Sequence, residues 1–169
     1  MQNFSVKIDG KEYWISRSCA VVCVIIDDSN PNAPKIVVGK RGKGCPDDVG
    51  KWCLPCGYVD YDETISEAAS RETKEECGLD VPSKAWRLRS LNSKPKDDKR
   101  QNITFRFVCR YKPEYGTKFT TEFSEPDEVE EIRWIGMKDV NKLEWAFNHK
   151  ELVDKLLKEN PLKYLDKKL

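Results

Sequence analysis

Apolar and polar positions along the chain follow two different periods. In FSVKIDGKEYWIS (residues 4–16) they alternate on either side of Asp9-Gly10. That dipeptide tolerates positive φ at both positions, so the segment predicts a β-hairpin with a two-residue turn. CAVVCVII (19–26) has no polar position at all, the pattern of a strand covered on both faces. It breaks at DDSNPNAP, dense in turn formers, and KIVVGKR (35–41) predicts the returning strand. A long loop, GKGCPDDVG, leads to KWCLPCG. Further on, AWRLRSLNS and NITFRFVCRY predict two strands joined by the polar KPKDDKRQ (94–101), and EEIRWIGM predicts the last strand.

The period changes at residue 64. Thr64 with Glu67 fits a capping box, and Gly78 stands where a C-terminal glycine cap would end a helix, so residues 64–77 predict one. At about 100° per residue Ile65, Ala68 and Ala69 share a stripe, and Glu72, Glu75 and Glu76 continue it. From Lys138 onward the pattern is again helical. Asn148 with Glu151 resembles a capping box, Leu152, Val153, Leu156 and Leu157 recur at helical spacing, and Pro161 is the expected stop. Mixed strands and helices in this order predict an α/β layered fold. The chain of 169 residues suits one domain, without internal repeat, low-complexity tract or dividing linker.

The acidic half of the first helix raises a chemical problem. Carboxylates at i, i+3 and i+4 repel, and partial burial would raise their pKa values unless a cation intervened. A hard divalent ion answers this: Mg²⁺ takes oxygen ligands, keeps several waters and shares its remaining positions with phosphate oxygens. A solvated acidic face paired with Arg71 and Lys74 fits the spacing equally well.

Composition narrows the surroundings. Charged residues form 35% of the chain but cancel to +1, so no global field draws in nucleic acid or an anionic membrane. No stretch approaches the roughly 20 apolar residues of a membrane span, and MQNFSVKIDGK lacks the apolar core of an export signal, which leads to the expectation of a cytoplasmic protein. Seven cysteines, an odd number, then read as reduced thiols. Cys53 and Cys56 make a C-x-x-C with Cys45 nearby, but a second paired zinc-ligand set is missing and the single histidine, His149, is remote. Cys19, Cys23 and Cys109 read as small apolar strand residues, and His149 as a helix-start residue.

One spaced pattern decides between the two readings of the acids. Gly57, five residues, Glu63, seven residues, Arg71-Glu72, two residues, Glu75-Glu76, one residue, then Gly78 and Leu79 resemble the Nudix box of the MutT-like Nudix hydrolases. Every fixed position matches except Thr73, where that family prefers an aliphatic residue. KWCLPCG and EEIRWIGMKDV resemble the strand-turn segments before and well after the box, so the resemblance covers residues 19–157 in outline. A second glycine usually precedes the box glycine, and here that position is Cys56.

The resemblance implies a single Nudix domain over 1–169, an α-β-α sandwich around a mixed sheet, with residues 1–18 as an N-terminal hairpin extension. It implies a pyrophosphohydrolase that uses metal-activated water on a small-molecule nucleotide derivative: a nucleotide sugar, ADP-ribose, a dinucleotide or a nucleoside triphosphate. Glu72, Glu75, Glu76 and the Gly57 carbonyl would hold Mg²⁺, with Mn²⁺ as a substitute. Arg71 would orient the carboxylates and Glu63 would brace the loop through Arg71. The general base often lies outside the box, and in SEPDEVEE the favoured residue is Glu128. Arg41, Lys94, Lys99 and Arg100 are the candidate phosphate contacts, set against ordinary surface charge. Trp14, Trp52, Tyr58 and Tyr61 could stack on a base, although buried strand aromatics are commoner. Two alternatives stay open: removal of a cap or pyrophosphate from RNA, which overall neutrality argues against, and a Nudix module that senses a nucleotide without cleaving it. A homodimer is compatible with the sequence.

Overall fold

A computed structural model describes residues 4–95, 101–125, 127–159 and 165. The hairpin forms where the alternation places it. Strands β1 (Phe4–Ile8) and β2 (Lys11–Ile15) pair antiparallel from Phe4 opposite Ile15 to Ile8 opposite Lys11. Asp9 and Gly10 turn it with φ of 48° and 78°, the double positive φ that a tight hairpin demands. This pair stands as its own two-stranded sheet.

The main sheet is mixed and has seven strands: β3 (Cys19–Asp27), β4 (Lys35–Arg41), β5 (Trp52–Cys53), β6 (Cys56–Tyr58), β7 (Arg87–Asn92), β8 (Ile103–Arg110) and β9 (Val129–Gly136). β3 runs parallel to β8 along its whole length, and β7 closes that edge antiparallel to β8. On the other side β4 pairs with β9. Between these halves the sheet forks. β3 and β4 pair only at Ile26–Ile36 and Asp27–Lys35. Beyond that, β5 attaches to β4 at Gly39 and Lys40, and β6 attaches to β3 at Ala20–Val22. The short turn Leu54-Pro55 joins β5 to β6, and Cys23 N–H donates to the Pro55 carbonyl across the fork (2.8 Å). The fork is what opens space for a site beside Gly57.

Both faces of the sheet are covered, as the unbroken apolar run of β3 requires. Residues 21–26 are all buried, and they divide by parity. Val21, Cys23 and Ile25 pack with Ala68, Ala69 and Cys77 of helix α1 (Ile65–Cys77). Val22, Val24 and Ile26 pack with Leu152, Val153 and Leu156 of helix α2 (His149–Lys158). The result is the expected α-β-α sandwich.

The ends of α1 follow the sequence closely. Thr64 accepts from Glu67 N–H (3.3 Å) while Glu67 accepts from Thr64 N–H (2.8 Å), and Gly78, at φ 72°, caps the last turn by donating to the Lys74 carbonyl (2.8 Å). The C-terminal stretch departs from the expectation. Residues Met137–Lys142 form a 3-10 segment, an irregular stretch comes next, and α2 starts only at His149. Asn148 is its N-cap residue but makes no side-chain cap bond, so the expected box with Glu151 does not form. Packing of Leu152, Val153 and Leu156 against the sheet holds this helix, which agrees with tertiary burial outweighing local signals in short helices. Pro161 lies outside the described residues.

Candidate functional site

Helix α1 turns a mixed face toward the fork. Ala68, Ala69, Glu72, Thr73, Glu76 and Cys77 are buried, with Glu72 only 9% exposed and Glu76 7%. Glu75 is not part of that face. Its side chain is 38% exposed, because the stripe bends toward Thr73 and Cys77. The predicted acidic face is therefore two buried carboxylates with a third at the rim.

Arg71 ties these groups to the loop before the helix. It donates through Nε and Nη2 to both oxygens of Glu63 (3.2 and 2.7 Å), through Nη1 to Glu72 (2.8 Å) and Glu75 (3.0 Å), and through Nη2 to the Tyr58 carbonyl (2.8 Å). The fork-shaped guanidinium suits such a hub where an ammonium would not. Glu63 in turn accepts from Asp60 N–H (2.7 Å), which fixes the loop. Glu63 and Arg71 are thus in direct contact, between the loop and the helix.

Gly57 is a glycine for a steric reason. A Cβ there would stand 2.1 Å from Glu72 Oε1, so the carboxylate fills the space a side chain would need. One residue earlier, Cys56 N–H donates to Glu76 Oε2 (3.0 Å), and the Cys56 side chain packs against the core on the α2 side of the sheet, beside the site. The thiol that replaces the usual second glycine thus leaves the strand intact and adds apolar surface.

The electrostatics of this corner are unbalanced. Burial pushes the Glu72 carboxyl up to about 7 despite Arg71, and burial pushes Glu76 well above the ordinary carboxylate range, helped by Cys53 and Glu72. Glu128 is also raised, first by burial and then by Glu125. Each of these acids disfavours ionisation of the others. Among the described residues the acids do not converge into a closed metal cage. Glu72 and Glu75 each lend an oxygen to Arg71 instead. The donor set nonetheless fits a hard divalent ion: all oxygen, half-open, and short of positive charge.

A cavity of about 330 Å³ lies against Gly57 and Glu128. Its other wall comes from distant parts of the chain: Arg41 at the end of β4 and Asp47 beyond it, Phe147 to His149 before and at α2, and Asn102 and Thr104 around the start of β8. Arg41 is pre-set. Its Nε donates to the Asp47 carbonyl (3.0 Å), its Nη2 to Asp47 Oδ1 (3.1 Å), and the guanidinium stacks 4.7 Å over the Phe147 ring. Phe147 holds a φ of 56°, unusual for an aromatic residue and a mark of a position fixed by its surroundings.

Of the predicted phosphate contacts, Arg41 and Lys94 line this cavity, and Lys99 and Arg100 lie outside the described residues. Tyr58 also lines it, more than half exposed, with Asn102 donating to its hydroxyl (3.3 Å). Trp14 and Tyr61 are exposed away from any core, and Trp52 is buried under Arg133 at 4.0 Å. All seven cysteines are free, with Cys19, Cys23 and Cys109 in strands as expected. His149 is the residue the sequence undersold. It does start α2, but it is 4% exposed, takes Leu54 N–H at Nδ1 (3.1 Å), and faces the cavity. That bond leaves Nε2 as the protonated nitrogen of the neutral ring. A lone histidine among polar neighbours gave no periodic signal to find it by.

The NUDIX domain family model matches residues 17–156. The chain belongs to the Nudix family. It is a hydrolase of the class that acts on phosphoanhydrides. It is 30% identical over 152 residues to a curated ADP-ribose pyrophosphatase of Methanocaldococcus jannaschii, covering 87% of this chain and 78% of that protein. Its fold is similar to that of the NUDIX domain of Shewanella oneidensis NrtR, solved in complex with ADP-ribose (TM-score 0.69, 17% identity, covering 86% of this chain and 89% of that one). It is also similar to a bifunctional NMN adenylyltransferase/ADP-ribose pyrophosphatase of Francisella tularensis, solved with AMP and a manganese ion. There the TM-score is 0.62 and the identity 18%, over 85% of this chain and 42% of the longer one. Among the described residues no helix of this Nudix hydrolase is long and apolar enough to cross a membrane.

Proposed function

We propose that this Nudix hydrolase is a Mg²⁺-dependent pyrophosphohydrolase that splits ADP-ribose, or a close nucleoside diphosphate derivative, into two monophosphates. The observation that carries the reading is the pair of buried carboxylates, Glu72 and Glu76, whose ionisation is held back by burial beside a cavity lined with Arg41 and Glu128. The choice of ADP-ribose is supported by the curated relative from Methanocaldococcus jannaschii and by the ligand of the NrtR domain.

In this reading Glu72, Glu75, Glu76 and the Gly57 carbonyl would hold Mg²⁺, with Mn²⁺ able to replace it. Bound there, the ion neutralises diphosphate charge and acidifies a water. Arg71 keeps two of the carboxylates aimed, and Arg41 and Lys94 hold the substrate's phosphates. Glu128, its pKa raised by burial and by Glu125, accepts the proton of the attacking water. The water oxygen bonds to one phosphorus and the bridging P–O bond breaks. The bridging oxygen leaves with the other phosphate, so ADP-ribose yields AMP and ribose 5-phosphate.

The test is a panel of ADP-ribose, nucleotide sugars, dinucleoside polyphosphates, nucleoside triphosphates and capped RNA, with and without Mg²⁺, read by chromatography of the products. ADP-ribose should give AMP and ribose 5-phosphate only when Mg²⁺ is added. Tight binding of ADP-ribose without cleavage under any metal would replace the enzyme by a sensor, and cleavage confined to capped RNA would move the substrate to nucleic acid.

A further inference from the structure

The loop after β4 is built against the backbone that carries Glu128. Gly42 N–H donates to the Glu128 carbonyl (2.7 Å), Gly44 N–H to the Asp127 carbonyl (2.9 Å), and the Cys45 thiol to the Glu128 carbonyl (3.2 Å). Cys45 N–H closes the turn on the Gly42 carbonyl (3.2 Å). The loop's hydrogen bonds to 127 and 128 all reach main-chain carbonyls, and its ion pair from Lys43 goes to the Asp127 side chain (3.4 Å), so none of these contacts engages the Glu128 carboxylate.

The contact is too close for a side chain. A Cβ on Gly42 would lie 2.0 Å from the Asp127 carbonyl oxygen and 2.9 Å from its carbon, backbone atoms that cannot swing aside. Asp127 itself sits at φ 62°, a conformation a non-glycine residue keeps only when its surroundings hold it. The β4–β9 ladder shifts register between Lys40 and Arg41, so that Lys40 faces Glu131 and Arg41 faces Val129. Such a bulge bends the strand end and re-aims the loop residues beyond it. Burial raises the Cys45 thiol, which therefore keeps the proton it donates. The same loop begins with Arg41, so one segment orients groups on two sides of the cavity.

Resting on the reading of Glu128 as proton acceptor, we propose that Gly42, Gly44 and Cys45 form a main-chain clamp that sets the position of Glu128, with Cys45 a positioning residue for the hydrolysis. The clamp acts on turnover through Glu128 alone. A loop that only contributes to stability would lower the melting temperature and leave the chemistry of the folded fraction unchanged.

The experiment is a double-mutant cycle on the full chain with ADP-ribose and Mg²⁺, alongside thermal unfolding. Cys45→Ala should lower kcat about fivefold with KM unchanged, the size of losing one modest hydrogen bond, and Cys45→Ser, which keeps a donor, should recover most of the loss. Gly42→Ala should lower kcat roughly 10²-fold, the cost of a misplaced reacting group. In the Glu128→Gln background both substitutions should add less than about twofold, because the group they position is already disabled. If they lower kcat equally in both backgrounds, or if Ser at 45 is no better than Ala, the clamp is overturned while the role of Glu128 stands. If Gly42→Ala does not fold, the Cys45 pair decides alone. An unaltered kcat for Glu128→Gln by itself overturns both the proton-acceptor role and the clamp.

Discussion

The two sides of the site are made differently, and the cavity touches the first of them only at Cys56 to Tyr58. One side, from Cys56 through Gly78, is a single unbroken stretch: a short strand, a braced loop and a helix whose caps bond residues three or four positions away and whose hub arginine reaches back only as far as Tyr58. The other side gathers Arg41, Pro46 and Asp47, Glu128, and Phe147 to His149 from three segments distant in sequence. Local spacing specifies the first side, and long-range packing specifies the second. Chemistry common to a family can be written in the first kind of side, and substrate choice can be written in the second without disturbing it.

Substitutions should separate the two sides by the kind and size of their effects. The largest belongs to the contiguous side. Glu75→Gln should cut kcat about 10²- to 10³-fold, the scale of losing one group that stabilises developing charge, with an unchanged melting temperature because the side chain is at the rim. Wild-type turnover in that variant would remove Glu75 from the metal set. Gly57→Ala should come next at roughly 10²-fold, since its Cβ must push Glu72 from a position only 2.1 Å away. A crystal structure of the variant should show Glu72 displaced. On the assembled side, Arg41→Ala should act on binding, raising KM for ADP-ribose about tenfold with kcat changed little. A drop confined to kcat would instead place Arg41 with the chemistry.

Stability should reveal the same division. The Glu72 carboxyl moves from an ordinary 4.5 to about 7 in the folded protein. Its folded value lies above its unfolded one, so between these values the unfolded chain has lost a proton that the folded protein keeps. Metal-free stability should then fall as pH rises from 4.5 to 7, and Mg²⁺, if it occupies the proposed site on the ionised carboxylates, should restore it. Differential scanning fluorimetry should show a Mg²⁺-induced rise of several degrees at pH about 8 and almost none at pH about 5. Equal rises at both would mean that Mg²⁺ binds elsewhere. The smallest effect is expected at Thr73. Its hydroxyl is fully buried on α1 and among the described residues has only the weak Cys23 thiol beside it, so Thr73→Val should stabilise the protein by about 1 kcal/mol in urea unfolding without altering turnover.

The contrast also explains what could be read in advance. The hairpin, the buried strand β3, the limits of α1 and the contact of Glu63 with Arg71 were legible because each rests on turn chemistry or on short-range spacing. Glu75 was placed on the wrong side of a boundary: an ideal helical stripe does not foresee that Thr73 and Cys77 take the sheet-facing positions. Asn148 and Glu151 had the letters of a capping box, yet the chain enters α2 from an irregular stretch with φ −110° and ψ 25° at Asn148, which aims its side chain elsewhere. On the second side Arg41 and Glu128 could be named only as candidates among many charged residues, and His149 gave no signal that it lines the cavity. Their neighbours are fixed by the fork in the sheet, and no local pattern encodes a fork.

That fork has an evolutionary consequence. Where β3 and β4 part, the protein gives up a stretch of their direct pairing and inserts a two-strand wedge whose ends remain anchored to both sides. Segments hung on the open rim can lengthen, shorten or exchange residues while the wedge stays in register. A lineage can therefore explore new ligands by editing its loops, with the catalytic machinery inherited unchanged.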